Sequence, residues 1–159
     1  MIDLISPAVV FAIVLIVVLR RTSAGVAVIA LLAGVLIDQL LSTWIINAIP
    51  NQSSSMDIYV NVVVHLLLTF TPMVVAITAV NANRKSVVVP LLTSLLLGFL
   101  VVYFGVQILA PIPQLTTEAN NSGLITFLSP YQNPILAASA ILAIVSMVAD
   151  HKKVSKKDK

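Results

Sequence analysis

Residues 24–48 read AGVAVIALLAGVLIDQLLSTWIINA, an apolar run in which Asp38 is the only charged residue. Crossing the hydrocarbon core of a bilayer takes roughly 17–25 apolar residues in a helix, and this run meets that length unaided. The rest of the chain agrees with it. Of 159 residues, 59% are hydrophobic and 9% charged, against roughly a quarter charged in ordinary soluble domains. A soluble fold of this size could not hide so much apolar surface, so lipid is the expected solvent.

Working outward, four further apolar runs cover about residues 3–19, 58–80, 86–110 and 134–149. The first and last are short for a span and would sit upright, thin the bilayer or borrow flanking residues. The expectation is therefore an all-α polytopic bundle of five spans forming a single domain over residues 1–150, followed by a basic tail at 151–159. All nine Lys and Arg fall in three places: Arg20 with Arg21, Arg84 with Lys85, and the tail from Lys152 to Lys159. The positive-inside rule then places the amino terminus outside and the tail in the cytoplasm. Asp3 precedes the first run and Arg20-Arg21 follow it, the reverse of a signal peptide's charge order, so the first run is expected to remain as an anchor.

The connections are short and polar. Ser23 is a candidate N-cap for the second helix. Asn133-Pro134 reads as N-cap followed by Pro at the first helical position of the last helix. Between them the segment 111–133 is longer. Within it, residues 123–128 are apolar again, either as an interfacial dip or short surface helix or as a plain loop. Trp44, Tyr59, Tyr103 and Tyr131 fall near the predicted outer helix ends, where amphipathic rings favour the headgroup layer. No internal repeat supports an inverted-repeat transporter.

Apolar contact alone drives little helix association in lipid. Helices meet where small residues let backbones approach. Such stripes are Ala30, Gly34, Asp38 and Ser42 in the second helix; Ser94, Gly98 and Gly105 in the fourth, with Pro90 opening the same face; and Ser139, Ala143 and Ser146 in the fifth. The first helix shows no such stripe and is expected to face lipid for much of its circumference.

The third helix carries a polar stripe instead: Asn61, His65 and Thr69, with Thr71-Pro72 just beyond. Asp38 and His65 are the two ionisable groups at membrane depth. A mid-helix Asp costs roughly 2.5–3.5 kcal/mol on insertion scales, so Asp38 needs a partner. Lipid offers no hydrogen bonds, and Asp38 is expected to face His65. With helix ends at Ala48 and Ile58, the two depths differ by about one turn, which leaves Thr69 as fallback partner for Asp38 and Ser42 for His65. Together Asp38, His65, Ser42, Asn61 and Thr69 form the candidate intramembrane polar site, read either as a proton, ion or substrate path or as a polar pair that sets helix register. Pro72 would kink the third helix and could shape a cavity beside His65.

Other function classes are poorly supported. Cysteine is absent, which excludes disulfides, thiolate metal sites and Cys nucleophiles. No zinc-protease, phosphate-loop or dinucleotide motif occurs, so no enzyme activity, cofactor or metal is expected. Basic residues are not interleaved with aromatics on a folded face, which argues against nucleic-acid binding. The expected partners are the bilayer, anionic headgroups at the basic tail, and either a membrane-protein partner or further copies of the chain. Asn51-Gln-Ser and Asn120-Asn-Ser match the glycosylation sequon, and the Lys-Lys-Asp-Lys ending resembles a dilysine retrieval signal. These keep the endoplasmic reticulum as an alternative to a bacterial inner membrane.

The layout resembles the colicin V production protein family of bacterial inner-membrane proteins. The resemblance runs over about residues 1–110: Ile2-Asp3 opening the first helix, the basic turn Arg20-Arg21, a second helix running into Trp44, a polar outer loop, and two helices joined around Arg84-Lys85. It implies a membrane accessory protein linked to secretion or envelope maintenance. It brings no catalytic residues. That family is described with four spans, and the fifth here departs from it. The leading expectation is a non-enzymatic membrane accessory or scaffold subunit. The alternative is a small transporter or channel using Asp38 and His65.

The topology has a direct check. Cysteines introduced at Ser54 and Ser122 should react with an impermeant reagent from outside, and a cysteine at Ser155 should not. Protection at Ser54 together with labelling at Ser155 would invert the orientation.

Overall fold

A computed structural model of the chain describes residues 2–19, 23–49, 54–79, 88–113, 115–116, 123, 126 and 129–154. The described residues form helices and turns without a strand: α1 (Ile2–Leu19), α2 (Ala24–Ala48), α3 (Ser54–Ala79), α4 (Val88–Leu109), a 3-10 turn (Ser129–Tyr131) and α5 (Gln132–Val154). Three of these are long and apolar enough to cross a membrane, over Ala24–Ala48, Met56–Ala79 and Leu91–Leu109. The protein is therefore an integral membrane protein. The apolar parts of α1 and α5, Ile5–Leu19 and Pro134–Val148, are shorter. Both sequons, the arginines and lysines of the first two basic turns, Glu118 and the last five residues lie outside the described residues.

Helix ends differ from the sequence expectation in ways that matter. α3 begins at Ser54, one turn earlier than expected. The polarity of Ser54, Ser55 and Asp57 predicts a loop, but the first turn of a helix tolerates such residues and favours acidic ones. α5 starts at Gln132, so Asn133 lies inside the helix instead of capping it, and the helix runs on to Val154 through the first part of the basic tail. Ser23 does occupy the N-cap of α2 with extended backbone angles. Its side chain makes no capping bond, and the Ser23 carbonyl accepts from the Ala27 N–H at 3.2 Å.

α2 is the hub, packing on α3 along its length and also on α4 and α5, while α1 leans on α4. The core gathers Val17 of α1, Ala24, Ala27, Val28 and Leu31 of α2, Met73 of α3, Leu97, Leu100, Tyr103 and Phe104 of α4, and Ala143 of α5. Tyr103 thus sits inside the bundle and not in an aromatic belt. Its ring meets Phe104 edge-on at 5.5 Å, and Gln107 Nε2 donates to its hydroxyl at 2.6 Å. Trp44, Tyr59 and Tyr131 stay exposed. α1 exposes Phe11, Leu15 and Leu19 as expected, but it also buries Ser6 and Val17 against its neighbours.

Glycines decide how closely the helices approach. A Cβ on Gly34 would overlap the Thr69 carbonyl oxygen of α3. On Gly98 it would sit 2.9 Å from Val10 Cγ1 and 3.1 Å from Val10 Cα of α1. On Gly25 it would sit 2.6 Å from the Ala143 carbonyl oxygen of α5. Ser94, Ser139, Ala143 and Ser146 are buried as their stripes suggest, whereas Ala30 is only half-buried. Ser94 and Ser139 turn their hydroxyls back onto the carbonyls of Leu91 and Ile135, which removes a free donor from the interior. Gly105 does not belong to the packing set, because nothing lies within 4 Å of a Cβ built on it. Spacing put it on the same face as Gly98, but α1 is not pressed against α4 at that level.

The contrast predicts an order of tolerance. Gly34→Leu and Gly98→Leu should each destabilise by about 3 kcal/mol, the upper end of overpacking costs, because backbone atoms stand in the way. Gly105→Leu and Val14→Leu should leave the protein monodisperse in detergent, with a melting temperature near the parent's. Equal loss for all four would refute the glycine contacts.

Candidate functional site

The polar site is built by the α2–α3 pair. Gly34 removes the one side chain that would hold the two backbones apart. Opposite it, Pro72 has no N–H to give the Leu68 carbonyl, and α3 nevertheless continues unbroken from Ser54 to Ala79. The carbonyls of Leu68 and Thr69 face the Gly34 Cα. Close Cα–H to carbonyl contacts of this kind recur at helix interfaces and contribute about 0.5–1 kcal/mol each. The Thr69 residue is buried at this crossing.

One turn toward the loop, His65 Nδ1 and Asp38 Oδ1 lie 2.7 Å apart. The expected approach of these two side chains is therefore present in the fold. The earlier start of α3 explains why no depth mismatch remains. At 1.5 Å rise per residue, Asp38 lies about 15 Å from Ala48 and His65 about 16 Å from Ser54. The fallback pairings drop out, because Thr69 stands across from Gly34 and not from Asp38. The bond requires one proton on the line between Nδ1 and Oδ1. With Asp38 as carboxylate, the imidazole N–H donates; with Asp38 as acid, its O–H donates to the ring nitrogen.

A further turn toward the loop, the same four-residue step brings Ser42 of α2 and Asn61 of α3 to a common level. Ser42 is buried. Asn61 Oδ1 is buried without a hydrogen-bond partner among the described residues. The seam thus carries three layers: Gly34 with Thr69, Asp38 with His65, and Ser42 with Asn61. It is not sealed. The His65 side chain keeps 35% exposure and that of Asp38 15%. Beyond Gly34, Ser42 is the only buried residue of α2, and Leu36, Leu40, Trp44, Tyr59, Val63 and Leu67 are exposed on the half of the hairpin nearer its loop.

Sequence reasoning missed two features. Gly25 fits against α5, yet it stands in the first turn of α2, where a glycine reads as part of the helix start. A cavity of about 520 Å³ lies among α1, α3 and α4, away from the polar pair. The cavity expected from Pro72 is one beside His65, whereas this one meets α3 at Phe70 and Met73 and does not include His65. Gly105, expected to pack, lines it instead, because periodicity cannot separate an open glycine from a packed one. Among the described residues no group of three His, Cys, Asp or Glu could hold a metal ion. Compared with models of known protein families, with curated protein sequences and with solved structures, the chain gives no match.

A double-mutant cycle tests whether the pair holds the seam. Asp38→Leu and His65→Leu, singly and together, should show a coupling of about 1 kcal/mol, within the range for side-chain hydrogen bonds in membranes. Asp38→Leu should also be milder than Asp38→Lys, since a packed apolar replacement is tolerated where a new unpaired cation is not. Zero coupling would mean that the two groups serve separate roles.

Proposed function

We propose that this chain is a non-enzymatic membrane accessory or scaffold subunit, with five spans, its amino terminus outside and its lysine-rich end in the cytoplasm. The observation that carries the reading is the closure of Asp38 upon His65 at 2.7 Å inside a two-helix seam. The cavity among α1, α3 and α4 has no part of that pair in its wall. Polar groups spent on each other at a glycine crossing act as helix fasteners. Work then falls to surfaces, and the outer half of the α2–α3 hairpin offers Leu36, Leu40 and Trp44 for a partner helix. The resemblance to the colicin V production protein family suggests a bacterial inner membrane and a part in secretion or envelope upkeep.

A second reading has one observation in its favour. The unpartnered Asn61 Oδ1 and the half-exposed His65 ring follow one another along α3, as groups of a polar path would. In that reading the chain is a small transporter in which Asp38 and His65 exchange a proton or contact an ion.

The readings separate on one substitution. Asp38→Asn keeps the shape of the side chain and its capacity to hydrogen-bond, but not the carboxylate. If the chain is a scaffold, the variant should purify with the same bound partners from gently solubilised membranes, with its melting temperature within a few degrees of the parent's. Parent protein that purifies free of any partner, together with a proton or cation flux in vesicles that Asp38→Asn abolishes, would replace the scaffold with the transporter.

A further inference from the structure

The cavity has a definite shape and chemistry. One wall runs from Ile5 to Ile13 on α1, another from Val101 to Leu109 on α4, Phe70 and Met73 of α3 close the back, and Leu115, beyond the end of α4, completes the lining. At 1.5 Å per residue each of the two long walls extends about 12 Å along its helix, so the space is a slot parallel to the helix axes. Its polar lining is confined to Ser6, which is already engaged within the protein. α1 and α3 both lean on α4 with little contact between themselves, which leaves the slot open between them. The α4 wall and the α3 residues lie within stretches long and apolar enough to cross the membrane. A carbon-lined space offers water no partners, and at that depth the surrounding medium is hydrocarbon.

We infer that this slot is a binding groove for one acyl chain of a membrane phospholipid, with Gly105 as the residue that keeps it open. Gly34, Gly98 and Gly25 each meet a neighbouring helix, while a side chain at Gly105 would project into empty space. The substitution that fills the groove is thus one the fold accepts. An aliphatic chain satisfies the wall without leaving a polar group unpaired. A polar solute would find no hydrogen-bonding group to replace its water. The inference rests on membrane insertion of α3 and α4 and not on either reading of the polar pair.

The test uses full-length protein reconstituted with a phosphatidylcholine carrying a diazirine midway along one acyl chain, then exchanged into detergent, passed over a sizing column and photolysed. Retained label should map to the segments around Val9 and Val106. Gly105→Leu and Val106→Phe should each cut it at least fivefold, and Ile144→Leu on the exposed face of α5 should leave it unchanged. Two filling variants guard against one that fails to fold, and elution at the parent's volume checks each. Label spread evenly over the exposed faces of α2, α3 and α5, or persistence of label in both filled variants, would overturn the groove. Groove labelling by a photoreactive free fatty acid but not by the phospholipid would overturn the assigned ligand. Release of the protein from membranes by alkaline carbonate would instead indict membrane insertion, a separate failure.

Discussion

The close approach of α2 and α3 at Gly34 is the contact on which the other features depend. In lipid, two apolar helices gain little by exchanging hydrocarbon neighbours for one another. What holds them is short-range packing and hydrogen bonding, and both fail if the axes stand too far apart. The absent Cβ at Gly34 lets the α2 backbone reach the Thr69 carbonyl. Only at that separation can the short side chain of Asp38, one turn away, reach the His65 ring. The same logic recurs with lesser consequence at Gly25 against α5 and Gly98 against α1.

This arrangement divides the molecule by height. The amino-terminal half of α2 is wrapped by other helices, with Ala24, Gly25, Ala27, Val28, Leu31 and Gly34 all buried. The carboxy-terminal half has α3 beside it and exposes Leu36, Leu40, Leu41 and Trp44. A partly exposed Asp–His pair at such a position is costly if it faces hydrocarbon on its open side. It is far less costly if another helix covers it. The exposed apolar residues around the pair are the complement such a helix would need. That conjunction, more than any motif, makes an interaction role the stronger reading.

Much of the fold was legible because lipid imposes simple rules. Long apolar runs become helices, polar breaks become turns, and an ionised group at depth must find a partner. Those rules delivered the five long helices among the described residues, the Asp38–His65 pair and the burial of Ser94, Ser139 and Ala143. They failed where two signals coincide. Polar residues at 54–57 read as loop, although a helix accepts them in its first turn. Tyr103 read as an interfacial ring, but Gln107 supplies its hydroxyl with a partner and lets it stay inside. Gly105 shares the periodicity of Gly98 but not its neighbour, since periodicity states which face a residue occupies and not what stands opposite.

The polar stripe of α3 could not have chosen its own register. Asn61, His65 and Thr69 each offer Asp38 a group able to hydrogen-bond with it, and they are spaced one turn apart, so hydrogen bonding alone allows three alignments. Gly34 narrows the choice by fixing the point on α2 where the two backbones touch, one turn from Asp38. Pro72 marks the matching point on α3, because the Leu68 carbonyl it leaves without an N–H faces the same glycine. The hydrogen bond therefore rewards an alignment in which these two backbone features already meet. This division of labour suits a medium in which polar partners are scarce but interchangeable, and in which the shape of the backbone is the more selective constraint.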